Sequence, residues 1–147
     1  MSSMSLRAAA ALAFVGSVLL AQTAVAGPAS AATPTCTKSV TYQSAIVPAS
    51  SSGSVTCLMS RGANSDAVYK LQDTLNDCYA AALESTDRNL WPITRDGDFG
   101  PNTQKALRQV QAREGIDDDG KYGPQTRANI KHSKAVYDAS SPCKYVS

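Results

Sequence analysis

The strongest constraint on the fold is a short stretch that the sequence contains twice. The copies span residues 96–103 and 119–126, and both read Asp-Gly, any residue, an aromatic, Gly-Pro, any residue, Thr. Asp-Gly favours a tight turn, and the aromatic side chain is suited to burial. Pro fits the first position of a helix, because its missing N–H would have no helical partner there. A turn, a buried aromatic and a helix start, used twice, predict a small helical domain built from a repeat.

Apolar periodicity places three helices around these turns. The first begins near Ser65, an N-cap residue, and the second spans residues 101–114. The third begins at Pro124, and we expect His132 to be an exposed residue on it. Gln72 lies beside the apolar stripe of the first helix and is predicted to have a structural role. That stripe consists of apolar residues at three- and four-residue spacing: Val68, Leu71, Leu75, Cys78 and Ala82.

Two runs of β-forming residues precede the first helix. They span residues 38–47 and 54–58 and are separated by a break at 48–53. The sequence therefore predicts two short strands, closed into a loop by Cys36 and Cys57. An isolated pair of strands is marginal in water, so this segment needs both a disulfide and packing against the helices.

The chain has four cysteines, an even number that indicates two disulfides in an exported protein. Four cysteines allow three pairings, of which we favour Cys36 with Cys57 and Cys78 with Cys143. A zinc site is the alternative, but the sequence has no C-x-x-C and only one histidine. A calcium loop centred on Gly120 fails as well, because Gly115 and Thr126 stand where it needs acids. No metal and no cofactor is predicted.

The first 31 residues have the pattern of a signal peptide. An apolar run of about 14 residues follows Arg7, which suits a signal core and is too short for a membrane span. Cleavage is expected after Ala26 or Ala31, and it leaves no stable membrane anchor. Removing Arg7 lowers the formal net charge from +2 to about +1, which excludes binding to nucleic acid or anionic lipid by bulk charge. The sequence predicts a secreted protein.

Residues 62–131 resemble the peptidoglycan-binding domain that lies at the ends of many bacterial and phage cell-wall hydrolases. The two repeats carry this resemblance, together with Gly62, Ser65, Gln72 and Gln111 at the expected spacing. It implies a mainly α fold, a compact three-helix bundle that binds wall glycopeptide without cleaving it. A short disulfide-closed β-like segment precedes this bundle. The predicted organisation is a signal peptide at 1–31, a disulfide-linked segment at 32–60, and the binding domain with its C-terminal tail at 61–147.

The sequence departs from this family between residues 77 and 95, where about ten residues exceed the usual short turn. The N-terminal segment and the C-terminal tail also lie outside the family core. These additions could extend a binding surface or cover it. The role of the insert at 84–95 is open.

Candidate ligand contacts lie near the turns, chosen by position. Phe99 and Tyr122 fit the core better than a sugar-stacking role, and Tyr122 is the better stacking candidate because its hydroxyl tolerates water. Asp96 and Asp119 are expected to accept N–H groups of their own turns. The predicted ligand-binding set is Trp91, Arg95, Asp98, Tyr122 and Arg127.

The sequence lacks the usual sets of catalytic residues. With one histidine, no Ser/His/Asp set is expected, and no H-E-x-x-H motif is present. The leading hypothesis is therefore a non-catalytic, cell-wall-associated protein that binds peptidoglycan. The alternative is an inhibitor or regulator of a secreted wall enzyme. A small wall hydrolase is a third hypothesis, with a carboxylate pair drawn from Glu84, Asp87, Asp96 and Asp98.

Overall fold

Three helices form the helical core of the molecule. The computed structural model describes residues 32–147, so the predicted signal peptide lies outside the described residues. Helix α1 spans Asp66–Thr86, α2 spans Pro101–Arg113 and α3 spans Pro124–Asn129. The described residues form one unit, Ala32–Ser147, in which the main hydrophobic core includes side chains from α1, α2 and both repeats.

Helix α1 begins where the sequence predicts. Ser65 is its extended N-cap, and the Ser65 hydroxyl accepts the Val68 N–H at 3.3 Å. Asp66 places an acid in the first turn, where it complements the helix dipole. Within the predicted stripe, Val68, Leu71 and Leu75 are fully buried, and Cys78 and Ala82 are partly buried. The stripe therefore faces the core, as expected.

Helices α2 and α3 both begin with a proline after a glycine N-cap. The caps are Gly100 and Gly123, and neither helix has a side-chain hydrogen bond at its cap. Helix α2 ends one residue before the predicted end, and Gly115 follows at φ 72°. Helix α3 has only six residues, and the buried Ile130 is its extended C-cap. The glycine-proline signal therefore predicted both starts.

The N-terminal hairpin differs from the prediction. Strand β1, Cys36–Tyr42, pairs antiparallel with β2, Ala45–Ser50. A two-stranded segment is present as predicted, but the predicted bounds, 38–47 and 54–58, are wrong, because the first run contains a turn at Gln43 and Ser44. These two residues have φ values of 49° and 64°, a conformation typical of glycine or asparagine. Neither residue type favours the positive φ of such a turn.

The C-terminal strands correct the prediction for His132. Strand β3, Lys131–Ser133, pairs antiparallel with β4, Cys143–Tyr145. His132 is fully buried on β3 and is not an exposed residue of α3. The physical reason is that α3 ends at Asn129, after which the chain forms a strand that packs against α1.

The disulfides have the favoured pairing, Cys36–Cys57 and Cys78–Cys143. The first joins β1 to the segment before α1, and the second joins α1 to β4. Ala45, Val47 and Val146 form a second, smaller core between the hairpin and the tail. Residues 32–147 therefore form three helices and two two-stranded sheets, and their strand content is larger than "mainly α" implies.

Candidate functional site

The first turn is held by the buried side chain of Gln72. Its amide nitrogen lies 2.7 Å from Asp96 Oδ1, 2.9 Å from the Asp98 carbonyl and 3.2 Å from Thr103 Oγ1. Its amide oxygen accepts the N–H groups of Asp96 and Gly97 at 3.0 and 2.9 Å. Both ends of one amide are therefore used to fix the turn, which confirms the structural role predicted for Gln72.

Gln111 does the same for the second turn. Its amide nitrogen lies 3.1 Å from Asp119 Oδ1, 2.9 Å from the Lys121 carbonyl and 3.0 Å from Thr126 Oγ1. Its oxygen accepts the Gly120 N–H at 2.8 Å. No contact of Gln111 was predicted from the sequence. The sequence signal for this role is its position: Gln111 lies in the helix that precedes the second turn, as Gln72 lies in the helix that precedes the first.

The aspartates that open each repeat stabilise their own turns. Asp96 Oδ1 accepts the Asp98 N–H, and Asp119 Oδ1 accepts the Lys121 N–H, both at 2.9 Å. The hydrogen bond from the Gln72 amide, and next the one from the Asp98 backbone, lower the pKa of Asp96. The expected Asx role of both aspartates is therefore seen in the structure.

One segment, residues 57–63, runs past both repeats and makes a turn of its own at Arg61 and Gly62. Phe99 donates its N–H to Ala63 and accepts one from Gly62, at 2.8 and 3.0 Å. Tyr122 exchanges two backbone hydrogen bonds with Met59, both at 2.9 Å. Both aromatics are thereby held by backbone as well as by burial.

The aromatic side chains belong to the core. Phe99 is 1% exposed and Tyr122 is 0% exposed. Burial raises the pKa of the Tyr122 hydroxyl. The expectation that Tyr122 presents a wet edge to a sugar is therefore wrong, because its ring packs against His132 with centroids 6.0 Å apart.

The first turn is flanked by two shallow grooves that meet at Asp98 and Gly100. One groove, of about 240 Å³, also contains Asp96 and Asn102, and extends to Ile93. The other, of about 270 Å³, is lined by residues from both sides of the turn: Arg61, Gly62, Ala63, Asp98, Phe99 and Gly100. We call these two grooves together the first-turn site.

The first-turn site is polar and open to solvent. Asp98 is exposed and accepts a hydrogen bond from the Asn64 side-chain amide. Arg61 contributes a guanidinium group, and Asn102 contributes an amide at the start of α2. Such a mixture of donors and acceptors suits a ligand with hydroxyl, amide and carboxylate groups.

The other predicted site residues lie outside the linings of these grooves. Arg95 adjoins the first turn, but its guanidinium forms ion pairs of 2.7 Å with Asp73 and with Asp77. Trp91 is half-buried against the main core. The guanidinium carbon of Arg127 lies 5.3 Å from the ring centroid of Tyr42. Only Asp98, among the five predicted ligand contacts, lines the first-turn site.

The three helices and the two turns are the part of the chain that a known family describes. Residues 64–130 match the model of the family described as "Putative peptidoglycan binding domain". This match confirms the resemblance seen in the sequence, and it covers slightly less than half of the chain. A comparison with curated proteins gives no match. The match to a peptidoglycan-binding domain supports peptidoglycan as the partner and indicates a binding module.

The matched residues include the insert, which is anchored by two buried side chains. Helix α1 extends to Thr86, and Leu90 and Ile93 are buried. The Asn76 side-chain amide donates to the Ile93 carbonyl at 2.8 Å and accepts the Ile93 N–H at 3.0 Å. The insert therefore lengthens α1 and fixes the approach to the first turn.

Residues 32–147 lack both a candidate metal site and a membrane-spanning helix. Within that range, no group of three or more His, Cys, Asp or Glu side chains is arranged to hold a metal ion. None of the helices in that range is long and apolar enough to cross a membrane. The disulfides and the domain match fit an extracellular or cell-wall location.

Proposed function

We propose that this chain is a secreted, non-catalytic protein that binds peptidoglycan at the first-turn site. The observation that carries the proposal is that the matched domain contains an open polar surface at its first turn. Asp98 and Asn64 supply acceptors and donors for sugar hydroxyls and peptide amides, and Arg61 supplies a cation for a stem-peptide carboxylate. Because the grooves are shallow, we expect weak binding that acts by local concentration.

Two of the four carboxylates that the sequence offers for a catalytic pair support a non-catalytic function. A glycosidase needs one carboxyl with a raised pKa as its general acid. The pKa of Asp96 is lowered by Gln72, and the pKa of Asp87 is lowered by its hydrogen bond from Lys105 and then by the Asn89 N–H. Both groups are therefore poorly suited to donate a proton near neutral pH.

The direct test is sedimentation with purified sacculi. We expect the protein to bind, and Asp98→Ala to weaken binding about tenfold, since a hydrogen bond to a charged group contributes about 1.5 kcal/mol. Lys121→Ala is the matched control, because Lys121 holds the same position in the second repeat. A protein that stays wholly soluble would refute the proposal. Loss of binding in Lys121→Ala alone would refute the assignment to the first turn.

Secretion and the lack of catalysis are tested by two separate measurements. The N-terminus of the exported protein should be Gly27 or Ala32, which mass spectrometry resolves. Sacculi incubated with the protein should release no reducing ends or amines above background. Release that Asp98→Asn abolishes would instead establish a small wall hydrolase.

A protein partner is the second candidate function. In the loop between β3 and β4, Val136 is 79% exposed and Tyr137 is 83% exposed. Asp138 holds this loop by accepting the N–H and hydroxyl of Ser140 at 3.0 and 2.7 Å. Exposed aromatic residues often contribute to protein interfaces. This observation favours a regulator of a secreted wall enzyme.

The partner hypothesis is tested by assaying a muramidase on sacculi in the presence of this protein. Inhibition that disappears in Val136→Ser/Tyr137→Ser, but survives in Asp98→Ala, would support it. Deletion of residues 84–89 tests whether the insert is the loop that contacts the enzyme, because inhibition should then disappear. No effect of the wild-type protein on the enzyme would count against a regulatory role toward that enzyme.

A further inference from the structure

The two glycine N-caps have the same position in the repeat but different surroundings. A Cβ added at Gly100 would meet no atom within 4 Å. A Cβ added at Gly123 would lie 2.7 Å from Leu58 Cδ2. The face that is open on the first repeat is therefore covered by Leu58 on the second.

The segment at 57–63 explains this difference. It bonds to Tyr122 through Met59 and to Phe99 through Gly62 and Ala63. The residue before each contact lies beside the glycine: Arg61 lines the open groove with Gly100, and Leu58 lies on Gly123. One segment thus crosses both turns, and it places the charged side chain of Arg61 at the first turn and the apolar side chain of Leu58 at the second.

Leu58 is fixed in place by its backbone. Its N–H donates to the Pro34 carbonyl at 2.8 Å, and its carbonyl accepts the Cys36 N–H at 2.9 Å. Its neighbour Cys57 is bonded to Cys36. The side chain nevertheless remains 43% exposed, so it covers a surface and does not fill the core. A large apolar residue at such a position is not required by burial alone.

We propose that Leu58 is an autoinhibitory contact that closes a second glycopeptide-binding face, on the turn formed by Lys121, Tyr122 and Gly123. The inference rests on the proposed function, because it assigns to the second turn the ligand class of the first. Lys121 stands where the first turn has Asp98 and is exposed two residues before the covered Gly123, so the second turn carries the opposite charge. It therefore suits a glycopeptide through its free carboxylate.

The test is the stoichiometry of a soluble disaccharide-peptide released from sacculi, measured by titration calorimetry. The wild-type protein should bind one molecule per chain, and Leu58→Ala should bind two, a twofold rise in capacity. Adding Lys121→Ala to Leu58→Ala should return the capacity to one. Val136→Ala is the matched control, because it also shortens an exposed apolar side chain and should bind one.

The background variant Asp98→Ala separates this inference from the proposed function. Binding that is weak in Asp98→Ala should be restored by adding Leu58→Ala. If the wild type binds one molecule and Leu58→Ala also binds one, the inference is overturned and the proposed function stands. If only Leu58→Ala binds, the covered face stands and the first-turn site is wrong. Binding by neither overturns both, and Leu58→Ser serves as a second variant if Leu58→Ala does not fold.

Discussion

The two repeats have the same interior and different exteriors. In each, a buried glutamine holds the turn, an aspartate accepts the N–H two residues on, and a threonine hydroxyl donates to the carbonyl of the variable residue. Those last bonds are Thr103 to Asp98 at 3.3 Å and Thr126 to Lys121 at 3.0 Å. On the outside, the first turn has open grooves, whereas Gly123 of the second turn lies under the Leu58 side chain. The shared residues therefore stabilise the fold, and the flanking residues decide which turn can reach a ligand.

The largest expected effect concerns the two glutamines. Gln72→Ala leaves the N–H groups of Asp96, part-buried, and Gly97, buried, without their acceptor and should cost about 3 kcal/mol of unfolding free energy. Gln111→Ala leaves one and should cost about 2 kcal/mol. Urea unfolding measures both, and Gln125→Ala, an exposed glutamine, should change stability by less than about 0.5 kcal/mol. A cost near zero for Gln111→Ala would show that pairing with Met59 suffices for the second turn.

As the pH falls, the contribution of the second repeat to the free energy of unfolding should decrease before that of the first. His132 packs on Tyr122, and burial lowers its pKa to about 4, with the positive charges of Arg127 and Lys70 acting in the same direction. The unfolded chain, with a histidine pKa of about 6.5, then binds more protons than the folded one between pH 6.5 and 4. The free energy of unfolding should therefore fall by about 2 kcal/mol from pH 7 to pH 5.

This dependence is measured by urea unfolding at several pH values in the wild type and in His132→Gln. The variant should have a flatter profile, because it lacks the titrating ring. Asp96, in the first repeat, has a pKa below 3.8, so its contribution is lost only at lower pH. An unchanged slope in His132→Gln would assign the effect to other groups.

The sequence predicted the parts of the fold that depend on local chemistry. Asp-Gly turns, glycine-proline helix starts and the Ser65 cap all act over a few residues, so the pattern alone reveals them. The hairpin turn at Gln43 and Ser44 was missed because neither residue favours positive φ. His132 was misplaced because pairing between β3 and β4 is a tertiary event that periodicity does not encode.

The candidate site was predicted less well, for a related reason. Asp98 was found because it lies within the repeat. Trp91 and Arg127 were chosen for their position near the turns, and packing against the core and against Tyr42 places them outside the grooves. Arg61 and Leu58 carried no motif, since their importance depends on a segment that crosses two turns far along the chain.

The smallest expected effect tests the difference between the repeats most directly. Gly100 and Gly123 have φ values of −83° and −143°, which other residues also adopt, so alanine introduces no backbone strain at either. Gly123→Ala should cost about 1 kcal/mol by overpacking against Leu58, whereas Gly100→Ala should change stability by less than about 0.5 kcal/mol. The double variant Leu58→Ala/Gly123→Ala should recover most of that cost, which a double-mutant cycle measures. Equal costs at the two glycines would mean that the contact with Leu58 does not distinguish the repeats.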